Sequence, residues 1–287
     1  ALPHLLACIR LIPSAMKTHI DCLKLQRDGC RLLLEILSQA LEHNLDVQSS
    51  LDDTMISSLL ETVRKYSENE ELLSLLCTLL MMISSSEVAA EKLRKAGAIP
   101  ELLMSMRKFL HNEQICFSCC GALWSLVVSE NSIDKALLQS AIGASSAVLQ
   151  EHLQNGTVAE AAGSALWALS LQGHFTDNEY ESTTALLLDA LRMNLERPVL
   201  VKNACQALAN LLRLSEISAF RFVTDSKGNG IKLIKDAYYF HSDDPEVVES
   251  ICALINEMVQ YDDIVLDMVS LKMKEMLSEI KSRFPSS

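Results

Sequence analysis

The chain has 287 residues, 49% of them hydrophobic and 22% charged, with a net charge of −12. That length allows a large buried core or an extended repeat array. The acidic balance argues against generic nucleic-acid binding, which needs Lys and Arg to displace phosphate counterions. Nine glycines and six prolines are under half the usual share of roughly 12%. Leu, Ala, Ser, Glu and Lys dominate, so the composition predicts an all-α chain poor in sheets and long loops.

The chain opens at Ala1 on ALPHLLACIR, with no initiator Met and no visible signal peptide. This predicts a piece of a longer protein. Leu33-x-x-Ile36-Leu37 and Leu76-x-x-Leu79-Leu80 follow. The apolar run Leu72 to Ile83 is too short to span a bilayer, which takes about 20 residues, and predicts a buried helix. Gly97 suits the left-handed end of a helix, and Pro100 suits the first turn of the next. Leu102, Leu103, Met106 and Leu110 give that next helix its stripe. Further helices are expected over about Glu113–Val128 and Ser132–Ser140. Together they make one unit of short, medium and long helix.

The long helix carries Ala122-x-x-Ser125-Leu126, a small-x-x-small-Leu pattern that returns as Ala165-x-x-Ala168-Leu169, Ala204-x-x-Ala207-Leu208 and Ser250-x-x-Ala253-Leu254. With the two upstream copies the anchors are 33, 76, 122, 165, 204 and 250, spaced by 43, 46, 43, 39 and 46. Positions i, i+3 and i+4 share one helix face. Small residues there let another helix approach closely, and Leu fills the groove between them. One helix cannot bury that face alone, so successive copies must stack. Such a period is that of armadillo or HEAT repeats. Between anchors, Asn155-Gly156-Thr157 reads as a helix-to-helix turn rather than a used glycosylation site. The last segment, about Asp262 to Phe284, mixes Leu271, Met273, Met276 and Ile280 with Lys272, Lys274 and Glu279, as a terminal cap with one wet face requires.

The run GAIPELL from Gly97, followed 25 residues later by A-x-x-S-L, resembles the armadillo repeat, and HEAT repeats are the near alternative. The resemblance implies an α-solenoid superhelix of about six armadillo-like repeats. It forms a single domain over 1–287, with repeats near 1–50, 51–96, 97–141, 142–177, 178–226 and 227–268 and a capping helix over 269–284. Third helices of the three-helix units would line a concave groove. The eroded repeats are also similar to armadillo-like regions appended to kinase-like proteins.

The only two tryptophans, Trp124 in GALWSLVV and Trp167 in SALWALSL, stand 43 residues apart in equivalent contexts. In peptide-binding armadillo proteins of the importin type, the third helix carries Trp-x-x-x-Asn on its groove face. Here the Trp position reads Glu35, Thr78, Trp124, Trp167, Gln206 and Cys252, and the Asn position reads Gln39, Met82, Val128, Leu171, Asn210 and Asn256. No repeat has both. Asn offers a donor and an acceptor to an extended backbone; Val128 and Leu171 offer neither. A ledge of Trp124, Val128, Trp167 and Leu171, continued by Gln206, Asn210 and Asn256, suits an amphipathic helix or an aromatic anchor. The competing expectation is that both tryptophans are packed between repeats and that Asn210 and Asn256 bond to neighbouring helices.

No chemistry converges. Cys116-x-x-Cys119-Cys120, with His111 nearby, lacks the second ligand pair of a zinc site and reads as core. His43, His111, His152, His174 and His241 fall near predicted helix ends, where the dipole favours them. The pairs Asp52-Asp53, Glu70-Glu71, Asp243-Asp244 and Asp262-Asp263 each open a predicted helix, with Asp244-Pro245 as cap and first position. Gly228-Asn229-Gly230 lacks the third glycine and the preceding strand of a dinucleotide loop. No phosphate-binding loop and no kinase motif is present. The expectation is therefore a non-catalytic module with no cofactor and no metal, binding a protein or peptide partner rather than nucleic acid or membrane. The alternative is a structural or dimerising regulatory extension of a larger kinase-like or pseudokinase protein, with self-association. Nine cysteines, mostly in apolar helical segments, suit reduced thiols in the cytoplasm or nucleus.

Overall fold

The computed structural model describes residues 2–285; Ala1, on which the reading of an internal start rests, lies outside them. Among the described residues the chain is all-α, with sixteen α-helices, one short 3-10 turn and no strand. It divides into two compact units, the first up to Ser140 and the second from Ala141. The first holds α1 (Leu2–Thr18), α2 (Leu23–Glu42), α3 (Asp53–Lys65), α4 (Glu70–Ser84), α5 (Glu87–Lys95), α6 (Ala98–Lys108) and α7 (Glu113–Val127). Helix α8 (Lys135–Glu151) begins in the first unit and ends in the second. The second continues with α9 (Gly156–Gln172), α10 (Asp177–Met193), α11 (Pro198–Leu214), α12 (Glu216–Thr224), α13 (Gly230–Phe240), α14 (Pro245–Met258), α15 (Asp262–Ser270) and α16 (Met273–Arg283).

Local chemistry sets most of these boundaries. Asp52, Asn69, Asn112 and Asn155 each cap a helix by accepting a backbone N–H, from Met55, Leu72 and Ile115 at 2.9 Å and from Val158 at 3.2 Å. Each such cap stabilises its helix by about 1 kcal/mol. The Asn155-Gly156 turn is therefore the start of α9. Asp244 caps α14 with Pro245 in its first turn, and the other acidic pairs also open helices. Gly97 is left-handed, φ +85° and ψ +33°, between α5 and α6, as the sequence predicts. Helices α6 and α7 are the expected medium and long helices, and a short helix, α5, stands ahead of them rather than after them. The sequence departs from the structure just beyond α7. The short helix predicted over Ser132–Ser140 is the opening of the longer α8, which runs through the predicted repeat boundary at 141–142. Gly143 is the one glycine within that helix. A lone helical glycine costs about 1 kcal/mol against alanine and does not end a helix.

The repeated pattern is the core. Leu126, Leu169, Leu208 and Leu254 are completely buried, as are Ala122, Ala165, Ala204 and Ala168 or nearly so. Upstream, Leu33, Ile36 and Leu37 on α2 and Leu76, Leu79 and Leu80 on α4 are buried too. Ser125 and Ala253 depart from the pattern and are half-buried. The long helices bearing the pattern pack on one another within each unit: α2 on α4 and α4 on α7 in the first, α9 on α11 and α11 on α14 in the second. Paired side chains keep a nearly constant offset along each contact, which makes the partners parallel. Thr78 meets Ser118 at 3.2 Å and Cys77 meets Cys119 at 3.5 Å between α4 and α7. Asn203 meets Ser164 at 2.7 Å and Asn210 meets Ser170 at 2.9 Å between α11 and α9. This is a repeat-like helical fold.

One glycine is required by a close approach. A Cβ on Gly230, at the start of α13, would lie 2.6 Å from the carbonyl oxygen of Phe222 and 2.8 Å from its ring. Backbone cannot yield as a side-chain tip can. Gly230→Ala is expected to cost about 2 kcal/mol, read as a lowered urea midpoint at unchanged slope.

The terminal segment breaks in two at Leu271 and at Lys272, which is left-handed at φ +59°. Met273, Met276 and Ile280 turn inward while Lys272 and Lys274 stay in water. No helix among the described residues is long and apolar enough to cross a membrane; the apolar run of α4 is instead packed, with Leu72, Leu73, Leu76, Leu79, Leu80 and Ile83 buried.

Candidate functional site

The long helices α4, α7, α9, α11 and α14 each bury one face against their neighbours and leave another toward water. On α7 that outer stripe is Gln114, Phe117, Gly121, Trp124, Ser125 and Val128. It follows from the helical period, since the buried positions Ile115, Cys119, Ala122 and Leu126 take the opposite side. Trp124 and Val128 are half-buried and belong to the first unit. The other five predicted residues belong to the second. Trp167 is half-buried on α9 and Leu171, one turn on, is 46% exposed. Gln206 is half-buried on α11 and its amide donates to Ser250 Oγ of α14 at 3.1 Å. Asn256 is exposed on α14.

Asn210 stands apart from these. It is buried, its amide donates to Ser170 Oγ, and its carbonyl oxygen accepts from Arg213 at 3.1 Å. Its polar atoms are committed to holding α11 on α9. An amide so engaged does not offer a backbone clamp to an extended peptide. Asn203, one face over, makes the same kind of link to Ser164.

Sequence reasoning missed Met81. A Cβ on Gly121 would lie 2.9 Å from Met81 Sδ, so the thioether of α4 rests where α7 has no side chain. That puts a flexible, polarizable apolar arm one turn from Trp124 and one turn from Phe117. The signal was legible in the opening residue of GALWSLVV, because a glycine inside a helix commonly marks a close approach. Ionic links run between the same helices: Glu71 with Arg27 at 3.1 Å and Arg31 at 3.0 Å, Glu160 with Arg197 at 3.2 Å, and Glu246 with Lys202. Largely exposed pairs of this kind contribute about 0–1 kcal/mol each.

The cysteine cluster sits on the inner side. Cys77, Cys116, Cys119 and Cys120 are buried; Cys77 and Cys119 meet between α4 and α7, while Cys116 points at the Leu110 carbonyl ahead of α7. The Cys119 thiol is held well above its usual value by its contact with Cys77 and by burial, and Cys120 is pushed up by burial. Burial alone raises Cys30 and Cys205 to about 12. No group of three His, Cys, Asp or Glu among the described residues is arranged to hold a metal ion. Two measurements follow. At mildly alkaline pH a thiol reagent is expected to label exposed Cys22 quickly, half-buried Cys8 and Cys252 slowly, and the six buried cysteines only after unfolding. In the unfolded chain Cys30, Cys119, Cys120 and Cys205 ionise near their ordinary value, and in the folded chain they hold their protons to higher pH. Stability is therefore fully present below about pH 9 and falls as pH rises toward 12, visible as a falling urea midpoint.

No protein-family model matches this chain.

Proposed function

We propose that the chain is an armadillo-like superhelix of about six repeats and acts as a non-catalytic protein-interaction module. A partner segment lies along the water-facing stripe of its long third helices. The observation that carries the reading is the setting of the two tryptophans. Each occupies the same position of a stacked long helix, each is only half-buried, and each is followed one turn on by an apolar residue, Val128 or Leu171. A large aromatic ring kept partly in water beside further apolar surface is the usual composition of a binding hot spot. With Asn210 engaged internally, the stripe suits the apolar face of an amphipathic helix or an aromatic anchor rather than an extended backbone. GAIPELL opening α6, with the short α5 before it and the long α7 after it, makes a three-helix set that favours armadillo over HEAT geometry there. A cytoplasmic or nuclear setting accords with the buried free thiols.

The test is tryptophan fluorescence of Trp124→Phe and Trp167→Phe, each of which isolates the other ring. Both emissions are expected to be red-shifted from that of a core tryptophan and quenched by acrylamide. Blue-shifted, unquenched emission from both would sink the reading. Peptides selected by display against the whole chain are then expected to bind Trp124→Ala or Trp167→Ala at least tenfold more weakly.

A further inference from the structure

Cys77 of α4 and Cys119 of α7 are both buried, at 1% and 0% exposure, and their sulfurs meet at 3.5 Å. Neighbouring contacts hold them there. Thr78 meets Ser118 at 3.2 Å, and a Cβ on Gly121 would lie 2.9 Å from Met81 Sδ. The two cysteines thus sit at one level of a close helix pair, within the first unit. A disulfide needs its sulfurs about 2 Å apart. Each sulfur therefore has about 0.7 Å to travel, which a small side-chain rotation supplies.

The other partners offered by the sequence point elsewhere. Cys116-x-x-Cys119 has the spacing of a redox dithiol. Yet the Cys116 thiol donates to the Leu110 carbonyl at 3.2 Å, ahead of α7, while Cys119 turns to α4. Cys120 follows Cys119 by one residue, and successive residues of a helix project about 100° apart. Position in space, not spacing in the chain, selects the partner of Cys119.

We infer that Cys77 and Cys119 are a latent cross-linking site, at which a peroxide joins α4 to α7 through a disulfide. In the first step one thiolate sulfur attacks hydrogen peroxide. The O–O bond breaks, the sulfur becomes a sulfenic acid, and the departing hydroxide takes up the proton that the thiol released. In the second step the other thiol attacks the sulfenic sulfur, the S–O bond breaks, and water leaves with the thiol proton. Two thiols are oxidised by two electrons in all, and one peroxide becomes two waters. The first step is slow, because contact with Cys77 and burial keep Cys119 protonated. Peroxide, far smaller than an alkylating reagent, reaches the pair when the helices part briefly. The second step is fast, because the partner thiol is already in contact. The bond closes a loop that contains α5 and α6 and removes chain entropy from the unfolded state. Oxidation thus stabilises the folded unit, and a thiol reductant reverses it.

Peptide mass mapping tests this on the whole chain carrying Cys22→Ser, which removes the exposed thiol that would link one chain to another. The chain is treated with hydrogen peroxide at mildly alkaline pH while its circular dichroism stays native, then alkylated and digested without reductant. The Cys77–Cys119 peptide is expected to be the main cross-link, to form also in Cys116→Ala, and to be lost in Cys77→Ala. The urea midpoint is expected to rise with the linked fraction and to fall back with dithiothreitol. A Cys116–Cys119 or Cys119–Cys120 link in its place overturns the proposal. So do free Cys77 and Cys119 thiols once half-buried Cys8 and Cys252 are fully oxidised. An equal yield of the link in urea overturns it too, since the fold then does not select the pair. An unchanged urea midpoint in the linked chain overturns the stabilising effect.

Discussion

Asp225→Ala is expected to destabilise the second unit by about 3 kcal/mol. Asp225 follows the last residue of α12, and its side chain is only 3% exposed. One carboxylate oxygen lies 2.7 Å from an Arg192 nitrogen of α10, and the other lies 3.4 Å from Arg221 Nε of α12. Arg192 also reaches Asp189 at 3.1 Å and the Gly228 carbonyl at 2.9 Å, and Lys227 reaches Asp189 at 2.9 Å. The carboxylate thus joins α10, α12 and the loop leading into α13. Removing it leaves two guanidinium groups, both mostly shielded from water, short of their shared anion. That shortfall costs far more than the net worth of an exposed pair. The contrast is Glu246→Ala, which removes the exposed partner of Lys202 and is expected to cost under about 1 kcal/mol. Urea unfolding followed by circular dichroism separates the two. Added salt should erase the small loss and leave the large one, because shielded charges are screened little. Equal losses for the two variants would refute the assignment of Asp225 as a buried hub.

Leu208→Ala is expected to cost about 3–5 kcal/mol. Leu208 is the leucine of the third clear copy of the repeated pattern and is fully buried on α11, which packs on α9 on one side and on α14 on the other. Truncation removes apolar contacts on both sides, and two stacked helices held at close range by Ala165, Ala168, Ala204 and Ala207 have little freedom to collapse into the space. Leu126, Leu169 and Leu254 occupy the equivalent sites and should give losses of similar size. Trp167→Phe, two residues before Leu169 but on the half-buried side, should cost within about 1 kcal/mol. The pair of results distinguishes the packing role of the leucines from the half-buried setting of Trp167. A Trp167→Phe loss as large as that of Leu208→Ala would return the tryptophan to the core.

Much of this was legible in the residues. Small-x-x-small-Leu at a recurring interval identifies a buried helix face because the helical period is a local property, and Leu126, Leu169, Leu208 and Leu254 are all buried. Capping is local as well, so Asn155-Gly156 and Asp244-Pro245 could be read as helix starts from two residues each. The merging of Ser132–Ser140 into α8 was not legible. A single glycine is too weak a signal to tell a helix that pauses from one that continues.

By itself, then, the sequence determined that the chain is helical, that its long helices stack through a recurring face, and where most of them begin. The tertiary structure decided which polar and aromatic side chains face water. Asn210 and Asn256 occupy the same register in the repeat, yet one is buried against Ser170 and Arg213 while the other faces water. Met81 reaches the tryptophan stripe only because Gly121 lies across from it. Asp225 becomes a hub only when α10 and α12 meet. The physical reason is common to all three: exposure and hydrogen bonding depend on neighbours some thirty to forty residues away in the chain, and spacing along one helix carries no record of them.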